Sequence, residues 1–231
     1  MTIKEIIYNI SNLKAGGVKS DDVKLSDEQY ASIIHYYRAK LIRQEIDRGM
    51  KLDPMLIQPM LDVEVERVKF GRNQPLSGKT VYRTVKPIPR AIATKGSNLI
   101  VFVGDNLLGR AYQRSTATRV QFDSFRPYTG LDPKWFEFND HIYVATEDSL
   151  TDIVIQLVAE NPYRVLKFTN SIDVFDPFNY EYPISMTMLD TIFKLMLATE
   201  LKVDAIGEDD INDGLDESPN TNNNNNTNST K

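Results

Sequence analysis

The stretch KWFEFNDHIYV, residues 134–144, predicts a β-hairpin in the middle of the chain. Two runs rich in aromatic and β-branched side chains, Trp135–Phe138 and His141–Val144, flank the turn residues Asn139 and Asp140. A hairpin of the same kind is predicted upstream, where the turn at residues 96–98 connects Ile88–Thr94 to Leu99–Val103. These two hairpins indicate that the centre of the chain is β-rich.

Three further segments extend this β-rich middle, which we place at about residues 63–160. In residues 63–70, the apolar side chains of Val63, Val65, Val68 and Phe70 are interspersed with charged ones, which predicts a strand. Arg119–Phe122 is predicted as a strand. Ile153–Val158 is predicted as another because its β-branched side chains prefer that conformation.

Helices are predicted on both sides of this middle. Near the N-terminus, apolar residues recur at helical spacing and end at Gly16-Gly17: Ile3, Ile6, Ile7, Ile10 and Leu13. A second helix runs from the capping box of Ser26 and Gln29 to Gly49. Its predicted apolar face is Tyr30, Ile33, Ile34, Tyr37, Leu41 and Ile46, and its predicted polar side is Arg38, Lys40, Arg43 and Asp47.

A last helix follows Tyr182–Ser185 and carries apolar side chains from Met188 to Leu197. The order of elements favours an α+β fold, with N-terminal helices and a C-terminal helix bracketing the β-rich middle. Residues 1–203 are predicted to form one domain. Residues 204–231, acidic and rich in asparagine, are predicted to be a flexible tail because they carry too little apolar surface to fold alone.

Charge is segregated along the chain. The formal net charge is −5, yet residues 64–126 hold twelve basic and four acidic side chains. Residues 127–203 hold five basic and twelve acidic ones, and residues 204–231 hold seven acidic and one basic. The basic and acidic segments can meet within one fold, or they can join two copies of the chain.

Several function classes find no support in the sequence. The chain has no cysteine, which excludes disulfides and thiolate chemistry. We predict a protein made in the cytoplasm, with no membrane association, because no apolar run is long enough to cross a bilayer and the first residues do not resemble a signal peptide. Two histidines far apart in sequence do not suggest a zinc site, and no cofactor is predicted.

Residues 71–80 imitate a phosphate-binding loop because they end in Gly78-Lys79-Thr80. Such a loop needs a glycine where this chain has Asn73, and it needs a helix beginning at Lys79. The segment that follows is β-branched and interrupted by two prolines. We therefore interpret the segment as a basic loop between strands.

Two alternatives stay open at the level of sequence. The basic segment 64–126 mixes cations with aromatic side chains, as nucleic-acid-binding grooves do, at Arg110, Tyr112, Arg114, Arg119, Phe122, Phe125, Arg126 and the neighbouring Tyr128. A virion-associated cell-wall hydrolase would need only two suitably spaced carboxylates, although no pair stands out among Asp123, Asp132, Glu137, Asp140, Glu147, Asp148 and Asp152.

Four segments resemble the virion structural proteins of crAss-like bacteriophages. They are the helix around Tyr36–Arg43, the hairpin at residues 134–144, the strand Ile153–Ala159 with Glu160-Asn161-Pro162, and Tyr182–Ser185 leading into the last helix. The sequence departs from the family pattern at Asn161, where the family has Asp, and at Ser185, where it has Pro. The shared motifs concern the fold rather than catalysis.

This resemblance implies a non-enzymatic, ring-forming subunit of the phage neck or head–tail connector. It implies a closed ring, usually of twelve copies, that contacts the portal and other neck or tail proteins while DNA passes through the channel without specific binding. The protein would be located in the virion after assembly in the host cytoplasm. A head-to-tail ring needs two complementary surfaces, and from the charge segregation we predict that the subunit interface contains Arg110, Arg114, Arg119, Arg126, Trp135, Asp148 and Asp152.

Overall fold

The structure is a computed structural model, and it describes residues 1–14, 25–68, 80–106, 109–122, 132–169 and 176–199. The chain divides into two compact units, Met1–Leu189 and Asp190–Lys231. The first unit contains the whole β-rich middle and most of the helices.

Two helices open the first unit. Helix α1, Ile3–Lys14, buries the four isoleucines that the periodicity predicts, and helix α2 spans Asp27–Asp47. The capping box is confirmed, because the Ser26 hydroxyl accepts from the Gln29 amide and the Ser26 amide donates to Gln29 Oε1 at 2.8 Å. Gly49 follows the helix with φ of +82°, a left-handed conformation that glycine adopts without steric cost.

The predicted polar side of α2 is wrong at Arg38. Lys40 is exposed as expected, but the Arg38 side chain has no solvent exposure and lies on the buried face with Tyr30, Ile34 and Tyr37. Hydrophobic periodicity misplaces Arg38 because it cannot show that tertiary hydrogen bonds will receive a charged side chain.

The described residues then form seven strands of one sheet: β1 Gln58–Arg67, β2 Thr80–Thr84, β3 Ile100–Gly104, β4 Gln113–Arg114, β5 Lys134–Phe138, β6 His141–Thr146 and β7 Asp152–Leu157. Their order across the sheet is β3-β7-β1-β2-β6-β5-β4. All neighbours are antiparallel except β4 and β5, which are parallel. Strand β1 begins earlier than the sequence indicates, although Phe70, the last apolar residue assigned to it, lies outside the described residues.

Strand β1 serves two partners because it bends at Asp62, where φ is +51°. Its residues before and just after the bend pair with β7, and its last three residues pair with β2. The two ends of the sheet also approach each other. Gly104 and Ala111 form an isolated bridge, and the Tyr112 amide donates to the Val103 carbonyl at 2.8 Å. The sheet therefore closes on itself through the chain that connects β3 to β4.

The predicted hairpin at residues 134–144 is confirmed, whereas the upstream one is confirmed only at its turn, because residues 88–94 form isolated bridges rather than a strand and β3 pairs with β7. Strands β5 and β6 pair across Asn139 and Asp140, whose φ values of +49° and +58° match the two-residue turn preferred between twisted antiparallel strands. Upstream, Ala93 and Asn98 form a bridge that closes the turn at residues 96–98.

Two local predictions need correction. Arg119–Phe122 is not a strand, because helix α3, Ala117–Gln121, begins after Thr116, whose hydroxyl accepts from the Arg119 amide. A helix that the sequence reading does not include, α4, spans Pro162–Thr169 directly after β7. Proline is favoured in a first helical turn and Asn161 accepts from the Tyr163 amide at 3.0 Å, so local signals for α4 were present.

The core lies between the sheet and the segments that cross it. Its main cluster combines side chains of β1, β3, β6 and β7 with Trp135 of β5 and Val165 of α4. A smaller cluster joins Val120 of α3 to Val81, Phe136 and Ala145.

The last helix, α5, spans Met186–Ala198 and crosses from the first unit into the second. Within the second unit, Ile192 and Met196 are fully buried, and Lys194 pairs with Asp190 at 2.7 Å. The predicted α+β class is confirmed: helices bracket a β-rich middle. The end of the predicted domain at residue 203 and the tail 204–231 lie outside the described residues.

Candidate assembly surfaces

The structure places two of the predicted interface residues in contact with each other. Arg110 Nη1 lies 3.3 Å from Asp148 Oδ2, and both side chains are more than half exposed. The same Asp148 oxygen accepts from the Thr146 hydroxyl at 3.3 Å. The basic and acidic segments therefore meet within one chain at this point.

Arg114 and Trp135 form a second pair. The Arg114 guanidinium lies 5.0 Å from the centroid of the Trp135 ring, and its Nη1 donates to the Asn98 carbonyl at 3.1 Å. Trp135 itself is only 3% exposed and belongs to the main core cluster. Arg114 thus presents a positive charge at the surface, and Trp135 supports it from below.

The remaining predicted interface residues are dispersed. Arg119 is exposed on α3, and Asp152 is half-buried at the start of β7, opposite Glu64 in β1. Arg126 lies outside the described residues, as do Phe125 and Tyr128 of the proposed aromatic groove.

Arg83, another cation of the basic segment, is paired with Glu66. Such pairing reduces the positive field that a nucleic-acid groove would need.

The ends of both hairpins enclose a depression of about 760 Å³. On one side lies the turn at residues 96–98, and on the other lie Glu137–Asp140 and the start of α3. Asn98 Nδ2 donates to Glu137 Oε1 at 2.6 Å and so joins the two hairpins. Tyr143 stacks on Phe136 with ring centroids 5.2 Å apart, and it meets Phe138 edge-on at 6.3 Å. Phe138 is 57% exposed, so this aromatic row reaches the surface.

A second concave surface, which we call the α2 groove, has a volume of about 450 Å³. The exposed side of α2 forms one wall, and the chain around the first hairpin and after β7 forms the other. Its lining residues are His35, Tyr36, Ala39, Lys40, Arg43, Ile92, Ala93, Glu160 and Asn161.

A buried polar cluster adjoins this groove. Arg38 Nε donates to the Pro183 carbonyl at 2.8 Å, and Arg38 Nη1 donates to the Ala159 carbonyl at 2.9 Å. Its Nη2 atom is buried and has no hydrogen-bond partner among the described residues. Burial lowers the pKa of Arg38, and the facing ring of Tyr182, 5.7 Å from the guanidinium carbon, partly opposes that effect.

His35 belongs to the same cluster. Its Nδ1 atom lies 2.7 Å from the Tyr182 hydroxyl, and the Tyr163 ring meets it edge-on at 5.1 Å. Burial, together with the positive charge of Arg38, lowers the pKa of His35 to about 4. Burial also raises the pKa of both tyrosines. At neutral pH the imidazole and the two phenols are therefore uncharged, and Arg38 carries the charge of the cluster.

No metal-binding or phosphate-binding site is evident in the part of the chain that the structure describes. Within residues 1–14, 25–68, 80–106, 109–122, 132–169 and 176–199, His, Asp and Glu side chains form no group of three that could hold a metal ion. Residues 71–79 of the apparent phosphate loop lie outside the description, but Thr80–Thr84 that follows is strand β2. The helix that a phosphate loop requires is therefore replaced by a strand. None of the described helices is long and apolar enough to span a bilayer.

The described surface thus offers charged and aromatic side chains for contacts with other macromolecules. The sequence predicted the hairpin and Arg114 beside it, but it did not reveal the α2 groove or the buried cluster of Arg38 and His35. The family-like segment Tyr36–Arg43 held a signal, because Tyr36, Lys40 and Arg43 are spaced four and three residues apart and therefore share one face of the helix.

Comparison with known proteins agrees with these features. The family model described as phage tail ring protein 2 matches residues 5–226, which is nearly the whole chain. Among curated proteins no sequence matches it. The class is therefore a structural ring protein of a phage tail, a component of the virion. In particular, the chain belongs to the family of phage tail ring protein 2 of the crAss-like phages, which confirms the resemblance seen in its sequence.

Proposed function

We propose that this protein is a non-enzymatic ring subunit of the neck, where it forms part of the head–tail connector between portal and tail. The observation that carries the proposal is the family match over residues 5–226. The exposed pair of Arg110 and Asp148 and the aromatic row at the hairpin ends support it, because they provide surface for contacts with another protein. We expect a closed ring, with twelve copies as the working number, assembled in the host cytoplasm.

In this proposal the subunit contact uses Arg110, Arg114 and Arg119 on one subunit and Asp148 and Asp152 on the next. The pair between Arg110 and Asp148 within one chain does not oppose this arrangement. An exposed ion pair contributes only about 0–1 kcal/mol, so it can exchange for the same pair across an interface at little cost. Trp135 would act indirectly, by holding the Arg114 guanidinium at the surface. Arg126 stays a predicted member of this interface.

The ring would let DNA pass without binding it specifically. The formal net charge of −5 and the internal pairing of Arg83 and Arg110 support this, since both weaken attraction to phosphate.

The test is assembly of the full chain, alone and with purified portal and neighbouring neck proteins, observed by mass photometry and negative-stain electron microscopy. We expect closed rings for the natural sequence. The double variant Arg114→Glu/Arg119→Glu should lower the ring fraction about tenfold, since reversing two rim charges replaces attraction with repulsion. The matched control Lys4→Glu/Arg164→Glu reverses two exposed cations outside the proposed contact and should assemble normally.

A chain that stays monomeric even with its partners present would contradict the proposal. Retention of that monomer on single-stranded DNA at moderate salt would instead favour a nucleic-acid-binding protein. Release of soluble fragments from purified host cell wall would favour a hydrolase.

A further inference from the structure

We infer that the α2 groove binds the acidic segment of a neighbouring copy, residues 204–217. This inference rests on the proposed ring, because the ring is what would hold a second copy beside each groove. It assigns to the C-terminal segment the role of a strap between subunits.

The groove is positively charged at its rim. Lys40 and Arg43 line it against a single carboxylate, that of Glu160. Lys40 Nζ lies 5.9 Å from the centroid of the Tyr36 ring, which keeps this cation beside an exposed aromatic surface. Arg43 makes one long contact, 3.7 Å to Asp47, and its side chain is 59% exposed.

Arg38 adds a further positive charge beneath the groove. Its guanidinium donates to the carbonyl of Ala159, the residue before the lining residue Glu160. No carboxylate of the described residues pairs with Arg38, and a buried charge of this kind is poorly screened, so its field extends further than that of a surface cation. Burial raises the pKa of Tyr163 and Tyr182, so both phenols stay uncharged at neutral pH and add no negative charge that would offset Arg38.

The wall of the groove is apolar between these charges. Ala39, Ile92 and Ala93 line it together with the Tyr36 ring, which is 61% exposed. An occupant should therefore combine apolar side chains with several negative charges.

Residues 204–217 have that composition. They contain seven acidic and no basic residues, and Ile206, Ile211 and Leu215 are spaced between the acids. No other segment of the chain combines this density of acids with regularly placed apolar residues. Charge complementarity thus selects this segment as the occupant.

The length of the chain permits the contact. The described residues end at Thr199, and Ile211 follows twelve residues later. Twelve extended residues reach up to about 40 Å. A domain of this size has a radius of gyration of only about 17 Å, so a neighbouring subunit is within reach.

The test uses cysteine cross-linking. Because the natural chain has no cysteine, only the introduced thiols can react. Full-length Ala93→Cys, which places a thiol on the groove, is mixed with full-length Ile211→Cys and treated with a short bismaleimide. We expect a covalent dimer. The matched control replaces Ala93→Cys with Ala117→Cys, since both alanines are exposed but Ala117 lies at the hairpin surface instead.

Charge-reversal variants provide a second test in the same cross-linking experiment. Adding Lys40→Glu/Arg43→Glu to the groove copy should lower the yield of dimer about tenfold, because two ion pairs become repulsive. Adding Asp209→Lys/Asp210→Lys to the tail copy should restore it. Rescue by the complementary change separates a direct contact from a folding defect.

Three results would overturn the inference. One is equal cross-linking at Ala93 and Ala117. Another is a cross-link that forms within a single Ala93→Cys/Ile211→Cys chain but not between mixed copies. The third is tight binding of a labelled oligonucleotide that Lys40→Glu/Arg43→Glu abolishes. Electron microscopy of the same samples keeps the two proposals separate: rings without the cross-link contradict only the strap, whereas the cross-link without rings contradicts only the ring.

Discussion

The Arg38 guanidinium donates a hydrogen bond of 2.9 Å to the carbonyl of Ala159, 121 residues further along the chain. A second donation, to the Pro183 carbonyl at 2.8 Å, connects the same side chain to the segment before α5. One buried arginine on α2 therefore fixes both the end of β7 and the approach to the last helix.

Replacing this side chain should destabilise the fold strongly. Arg38→Ala leaves two buried carbonyls without their donor and opens a cavity, so we expect the free energy of unfolding to fall by about 3 kcal/mol. Urea unfolding followed by circular dichroism measures the change. Arg43→Ala on the same helix is the control, because Arg43 is largely exposed and should cost less than about 0.5 kcal/mol. Equal losses in the two variants would contradict the role of Arg38.

Stability should depend on pH through His35. Burial lowers the pKa of His35 to about 4 in the folded chain, whereas an unfolded histidine has a pKa of about 6.5. The unfolded chain therefore takes up a proton first, so stability is complete above about pH 6.5 and is lost as pH falls towards 4. The loss from this group is at most about 3 kcal/mol.

The variant His35→Gln should remove this component of the pH dependence, as measured by urea unfolding at pH 7.5 and 5.0. His141→Gln is the matched control and should retain the dependence, since His35 is still present. A difference between the two pH values that is as large in His35→Gln as in the natural chain would refute the assignment.

Closure of the sheet should be sensitive to a single methyl group. A Cβ atom at Gly104 would lie 2.5 Å from the Arg110 carbonyl oxygen and would also overlap the Phe102 ring. Gly104→Ala should therefore lower the free energy of unfolding by about 1–3 kcal/mol. It should also speed hydrogen exchange of the Tyr112 amide, which bridges the ends of the sheet.

Gly96→Ala provides the control for that experiment. A Cβ at Gly96 meets nothing within 4 Å, so its effect should stay within about 0.5 kcal/mol. Normal exchange at Tyr112 in Gly104→Ala would show that the sheet does not depend on this close approach.

The turn between β5 and β6 should respond in opposite directions to two substitutions at Asp140. Its φ of +58° suits glycine and opposes β-branched residues. Asp140→Gly should raise the free energy of unfolding by up to about 1 kcal/mol, and Asp140→Val should lower it by about 1–2 kcal/mol, as measured by thermal unfolding. The reverse order, with the valine variant more stable than the glycine variant, would mean that this turn opens in solution.

Local signals predicted most elements of the fold. The capping box at Ser26, the isoleucine repeat of α1 and the turn residues Asn139 and Asp140 each act over a few neighbouring residues, and each prediction is confirmed. The prediction of a strand at Arg119–Phe122 was wrong because four residues are too few to show a periodicity. The N-cap at Thr116 favours a helix there instead.

The candidate surfaces could be predicted only in part. The hairpin followed from its composition, but composition did not show which of its aromatic side chains reach the surface: Trp135 and Phe136 are buried, whereas Phe138 is 57% exposed. The pairing of Arg110 with Asp148, and the burial of Trp135 beneath Arg114, join residues from different strands and loops. Charge counts along the chain cannot reveal such pairs.

The sequence by itself determined the class of fold, the hairpin of β5 and β6, the bracketing helices and the phage ring family, because these depend on periodicity, turn chemistry and motifs that are local in the chain. Only the tertiary structure decided that Arg38 is buried, that the sheet closes through Gly104 and Ala111, and that α2 forms one wall of a basic groove. Those features depend on contacts between residues far apart in sequence, whose free energy is set by burial and by the distance between partners rather than by any neighbouring residue.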